Sequence, residues 1–268
     1  MVDTFPFVLM GNDSSRPVVL FLHGFLGSRA DWQPVADALS DDFRPLVTDL
    51  PGHGLNRSRP SGHDFTMENC AGALLRLLDS LHLGSVNVIG YSMGGRLGLY
   101  LALTCPDRCR RVVLESSSPG LKTASERKKR IRNDNSLADR LERDGLDAFL
   151  EHWYSQPMFK TLEDYPDRRA DLLKLRRQND PVLLATSLRS MGTGRQPSLW
   201  ERLSACSTPL LLLAGGKDRK FSALAEEMAH LCPAAQSRII PGAGHNVHVE
   251  KPAAFIREVR DFLKSTGD

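Results

Sequence analysis

The chain has 268 residues, 41% of them hydrophobic, and 35 Lys and Arg against 32 Asp and Glu give a net charge of +3. That is enough apolar material for one large core, with no linker-like or repeated stretch to divide it, and so small a charge excludes a nucleic-acid partner held by bulk electrostatics. No apolar run is long enough to insert in a membrane. The stretch from Met1 to Met10 carries Asp3 and lacks a basic n-region, so no signal peptide is expected. The five cysteines are odd in number and lack zinc-site spacing, which predicts reduced thiols in a cytoplasmic protein without a metal site.

In chain order, Phe5 to Met10 suggests an opening edge strand. Pro17-Val18-Val19-Leu20-Phe21-Leu22 is a continuous apolar run, the mark of a strand buried on both faces. It ends in His23-Gly24-Phe25, where the glycine lets backbone approach a ligand, so the Phe25 amide is a candidate oxyanion donor. His23 is expected to brace this loop, because it precedes the nucleophile and has no acid in a matching loop. Asp31 to Leu39 has helical spacing, Arg44 to Asp49 reads as a strand, and Pro51-Gly52-His53-Gly54 as a turn. Met67, Ala71, Leu74, Leu78 and Leu81 line one face of a helix with Thr66 as its N-cap.

Ser85-Val86-Asn87-Val88-Ile89 is another apolar run, and Gly90-Tyr91-Ser92-Met93-Gly94 joins it to a helical pattern. Strand, G-x-S-x-G and helix make a nucleophile elbow, which lifts the Ser92 hydroxyl clear of the sheet and turns the Met93 amide toward a developing oxyanion. A serine needs a base and an acid to orient that base, and in this architecture they follow in the order acid, histidine. Arg111 to Glu115 is the next strand. Pro209 to Ala214 is a further buried strand, and it runs through Gly215-Gly216-Lys217 to Asp218. The short strand Ser237 to Ile240 leads to Gly242-Ala243-Gly244-His245, and a closing helix runs from Pro252 to Leu263. Each polar residue is ordinary taken singly, a turn aspartate or a capping histidine. Their joint occurrence after strands, in order, predicts the triad Ser92, Asp218 and His245.

Strands interleaved with helices predict an α/β fold, a mostly parallel sheet covered by helices on both faces. The segment from Leu121 to Cys206 interrupts the alternation with helical, charged sequence. Residues 1–120 and 207–268 are therefore expected to form the core, and 121–206 a helical lid. Lys122 to Arg132 holds six basic residues and one acid, Glu126. Lys128 and Lys129 are expected on a solvated face, while a lid over the site predicts at least one arginine turned inward to an anionic substrate.

Three stretches, Leu22-His23-Gly24-Phe25-Leu26-Gly27-Ser28, Asp49-Leu50-Pro51-Gly52-His53-Gly54 and Gly90 to Arg96, resemble the α/β-hydrolase superfamily. Ser118-Pro119-Gly120-Leu121, Trp153 to Phe159, Asp218 to Phe221 and Gly244 to Pro252 narrow the resemblance to the 2-succinyl-6-hydroxy-2,4-cyclohexadiene-1-carboxylate synthases of menaquinone and phylloquinone biosynthesis. The resemblance runs from Val18 to about Phe262. It implies a lyase that eliminates pyruvate from an enolpyruvyl cyclohexene bearing three carboxylates, without a cofactor. It also implies substrate-binding roles for Tyr91, Arg96, Arg130, Trp153 and Arg176, with Arg127 and Arg177 as neighbours able to take such a role. Two other readings use the same residues. One is a carboxylesterase or carbon–carbon bond hydrolase working through an acyl-enzyme, and the other is a ligand-binding module without catalysis.

Overall fold

The computed structural model describes residues 5–57 and 65–265; the outer ends of the expected core segments, 1–4 and 266–268, lie outside them. Seven strands form one sheet in the order β1-β3-β2-β4-β5-β6-β7. They are β1 (Phe7–Leu9), β2 (Val18–Leu22), β3 (Arg44–Thr48), β4 (Val86–Tyr91), β5 (Cys109–Glu115), β6 (Leu210–Gly215) and β7 (Ala235–Ile240). Only β1 runs antiparallel, pairing Phe7 with Thr48 at the edge beside β3. All the others are parallel neighbours.

The alternation of side chains along each strand explains the unbroken apolar runs. Leu20, Leu22, Val88, Leu210 and Leu212 enter one core with helices α2 (Met67–Ser80), α3 (Met93–Thr104) and α8 (Arg219–Leu231). Val19, Phe21, Ile89, Leu211 and Leu213 enter a second core on the opposite face, beneath α1 (Gln33–Leu39) and α10 (Pro252–Lys264). With period-2 geometry, both faces of a strand must be apolar when both are covered.

Helix starts follow local chemistry. The Thr66 hydroxyl accepts from the Asn69 amide and so caps α2. The expected helix over 31–39 is a 3-10 turn, Arg29–Trp32, followed by α1. Between β5 and β6 stand α4 (Ala124–Asp144), α5 (Leu146–Tyr154), α6 (Pro166–Arg176) and α7 (Pro181–Met191), with no strand among them. Glu126, the single acid in the basic stretch, closes a capping box with Thr123 at the start of α4. These helices bury their own apolar cluster, including Ala138, Leu141, Phe149 and Leu184, against Leu26 at the carboxyl end of the sheet. α9 (Val247–Glu250) is a single turn before α10.

Candidate active site

At the β4–α3 junction Ser92 holds φ 49° and ψ −103°, a strained backbone for a residue with a side chain. The flanking glycines make this possible: a Cβ at Gly90 would sit 2.5 Å from the Gly94 carbonyl oxygen, and one at Gly94 would sit 2.2 Å from that of Leu22. The Ser92 amide is tied to the Glu115 carbonyl at 2.8 Å, which anchors the turn to β5. Met93 is the first residue of α3, so its amide has no partner within the helix. Phe25 and Met93 both border the cavity above Ser92.

Asp218 and His245 follow β6 and β7. The Asp218 Oδ2 lies 2.7 Å from His245 Nδ1, and the two side chains are 6% and 1% exposed. Oδ1 accepts from the Phe221 amide at 3.2 Å, so one carboxylate both caps α8 and orients the imidazole. With Nδ1 committed to Asp218, Nε2 is the nitrogen left for proton transfer. The rings of Phe221, Tyr91 and Phe159 pack around His245 at 4.7, 5.5 and 5.6 Å. Buried Glu250 holds the loop itself, accepting from the Gly244 and Asn246 amides on either side of the histidine.

His23 braces its loop. Its Nε2 accepts from the Leu50 amide at 2.9 Å, which leaves Nδ1 to donate to the Gly24 carbonyl at 2.8 Å. The His53 ring lies beside it, tilted by 54° with centres 5.1 Å apart, and contacts Phe25 edge-on. Burial lowers both imidazoles below the ordinary histidine value, His53 well below it, so neither carries charge at neutral pH.

The cavity over Ser92 has a volume of about 310 Å³, within the range of small-molecule sites. α3 contributes Arg96, α4 Arg130 and Asp134, α5 Trp153, and α8 Lys220 and Phe221. Arg96 donates to Gln196 Oε1 and to the Met191 carbonyl. Burial, and then the charge of Arg130, push its guanidinium down to about 10. Arg130 Nε donates to Asp134 Oδ1 at 2.7 Å. Trp153 stacks on Phe149 and meets Phe25 edge-on. Lys128 and Lys129 are exposed, as expected.

Two expected pocket residues stand elsewhere. Strand alternation sends Tyr91 with Ile89 into the core beneath α1 and α10, so its ring backs His245 and does not line the cavity. Arg176 is 2% exposed and turned toward the β2 side, where it donates to Asp31 Oδ1 at 2.6 Å and to the Tyr154 hydroxyl at 3.1 Å. Burial alone would lower this guanidinium, but Asp31 and Tyr154 outweigh it and hold it above the usual arginine value. Arg127 donates to the Leu121 and Lys122 carbonyls, and Arg177 pairs with Asp147 at the surface.

Sequence reasoning missed Lys220 and Glu250. A signal for Lys220 was present: α8 opens Arg219-Lys220 with no acid in its first turn, against the preference of a helix N-terminus for negative charge. Burial, and then the charge of Arg130, lower the Lys220 ammonium. The cation is therefore lost at lower pH than in an ordinary lysine. Capture of an anionic substrate should fall as pH rises, beginning below the usual lysine value, with Arg96 contributing to the same limb. The kcat/KM profile of Lys220→Arg should extend to higher pH than that of the unchanged protein; coincident profiles would remove Lys220 from substrate capture.

The α/β hydrolase fold family matches residues 17–252. A Bacillus subtilis (strain 168) relative is 41% identical over 256 residues, covering 95% of this chain and 93% of its own length. The 2-succinyl-6-hydroxy-2,4-cyclohexadiene-1-carboxylate synthase of Escherichia coli O1:K1 / APEC is 38% identical over 248 residues, covering 92% of this chain and 94% of its own. This chain belongs to the 2-succinyl-6-hydroxy-2,4-cyclohexadiene-1-carboxylate synthase family. Among solved structures, MenH from S. aureus superposes with a TM-score of 0.92 at 32% identity, covering 97% of this chain and 98% of that one. A thermophilic esterase from Thermogutta terrifontis shares the fold at TM-score 0.83 and 26% identity. The synthase family thus shares its scaffold with hydrolases.

Proposed function

We propose that this protein is a carbon–oxygen lyase of menaquinone or phylloquinone biosynthesis. It eliminates pyruvate from 2-succinyl-5-enolpyruvyl-6-hydroxy-3-cyclohexene-1-carboxylate to give 2-succinyl-6-hydroxy-2,4-cyclohexadiene-1-carboxylate. The observation that carries this reading is a cavity over the elbow serine bordered by Arg96, Arg130 and Lys220. Three carboxylates entering such a pocket lose hydration and need cations in exchange. Hydrolysis of a neutral ester does not require them.

In this reading Asp218 holds the His245 tautomer, and His245, directly or through Ser92, removes the ring proton next to the succinyl ketone. The C–H electrons move onto the ketone oxygen, and the Phe25 and Met93 amides hold the resulting enolate. Collapse of the enolate carries electrons through the ring double bond and breaks the carbon–oxygen bond to the enolpyruvyl group. The departing enolpyruvate takes up a proton and becomes pyruvate. The α4–α7 insertion serves as a lid that excludes water from the enolate. Trp153 covers the ring. The odd count of five cysteines fits a cytoplasmic setting for the reaction, and no helix among the described residues is long and apolar enough to cross a membrane.

Release of pyruvate on incubation with the enolpyruvyl substrate tests the reaction. Run in heavy-oxygen water, elimination should leave the product carboxylates unlabelled, and rapid quenching should find no adduct on Ser92. An acyl group accumulating on Ser92 would establish the hydrolase reading instead.

A further inference from the structure

We propose that Asp134 contacts the substrate, its second carboxylate oxygen accepting the hydroxyl of the substrate ring. The inference rests on the substrate named above. Asp134 is 2% exposed, belongs to α4 and borders the cavity. Its Oδ1 accepts from Arg130 Nε at 2.7 Å, whereas Oδ2 is buried with no hydrogen-bond partner. Gly192, which also borders the cavity, lies against that oxygen, and a Cβ at 192 would stand 2.4 Å from it and leave no room for a partner.

A carboxylate paired with arginine accepts hydrogen bonds and donates none. Leaving a buried acceptor dry is costly, so Oδ2 calls for a donor. The same oxygen repels any carboxylate brought near it. The ionised substrate offers three carboxylates, a ketone, an enol ether and a single hydroxyl, so the hydroxyl is its one donor. The hydroxylated carbon stands between the carbon bearing the ring carboxylate and the carbon bearing the leaving group. Fixing that hydroxyl decides which way round the ring lies, and so which carbon faces the base. Asp134 then serves two partners, steadying Arg130 with one oxygen and orienting the ring with the other.

A residue that only steadied Arg130 would affect every carboxylate ligand alike, and this separates the two roles. Calorimetric titration of the full chain compares the cyclohexadiene product, which keeps the hydroxyl, with 2-succinylbenzoate, which carries the same carboxylates and ketone on an aromatic ring without it. In Asp134→Ala the ratio of the two dissociation constants should shift by about tenfold or more, because only the hydroxylated ligand loses a bond. Asp134→Asn, nearly identical in shape, is measured alongside and should shift the ratio in the same direction, so the test survives if the alanine variant does not fold. A ratio unchanged by the substitution, with both ligands weakened equally, overturns the contact and leaves the substrate assignment standing. Failure of the unchanged protein to release pyruvate from the enolpyruvyl substrate overturns the assignment, and the contact with it.

Discussion

Ser92→Ala should lower the rate of pyruvate release by ~10²-fold or more, the usual effect of losing an acid–base group. The fold should survive, because the turn is fixed by Gly90, Gly94 and the backbone bond from the Ser92 amide to Glu115, none of which needs the hydroxyl. Comparison with His245→Ala extracts more. If the hydroxyl relays the proton, the two losses should be similar; if the imidazole reacts directly, the histidine variant should be much the worse. Near-normal turnover in Ser92→Ala would remove the serine from the chemistry.

Arg176→Ala should produce the largest loss of stability, and that loss should be separable from activity. The Arg176–Asp31 pair is 2% and 6% exposed, and deleting the arginine strands a buried carboxylate. Breaking such a pair costs about 3–5 kcal/mol. For a chain of this size that corresponds to a fall in Tm on the order of 10 °C, checked by thermal denaturation. Replacing both partners at once, Asp31→Leu with Arg176→Met, should recover much of it, since a packed apolar pair avoids the desolvation penalty. In the cold, where the single variant stays folded, kcat/KM should be nearly unchanged because Arg176 does not border the cavity. A large fall in kcat/KM with unaltered Tm would instead return Arg176 to substrate binding.

The sheet and the elbow were legible because their physics is local. A strand covered on both faces must be apolar at every position, as Val18–Leu22 and Leu210–Leu213 are, and a tight strand-to-helix turn must carry glycines where backbones touch. The order of acid and histidine after successive strands was readable for the same reason. Arginine placement within the insertion was not. Helical spacing states which residues share a face, but not whether that face meets the cavity or a loop of the core, so Arg130 and Arg176 look equivalent in sequence and point to different partners. Tyr91 is instructive in the other direction. The family resemblance implied a place in the pocket, while the two-residue period shared with Ile89 already assigned it to the opposite face. Asp134 was hidden by its company, one acid after a run of bases that reads as a solvated surface until the fold buries it.

The bonds between insertion and core are unequal from one side to the other. Toward β2 and β3 they include buried bonds, Arg176 to Asp31 and Asn179 to the Leu26 carbonyl, beside an exposed one from Arg57 to the Gln178 carbonyl. Toward α8 they are exposed ion pairs, Lys122 with Glu227 and Asp164 with Lys217. Dissolved salt screens exposed pairs and barely reaches buried ones. Raising ionic strength should therefore speed amide hydrogen exchange at the start of α4 and leave the end of α6 unchanged. On the proposal that the insertion is a lid, its fixed side lies at Arg176 and its loose side at the two exposed ion pairs, next to the helix that carries Lys220.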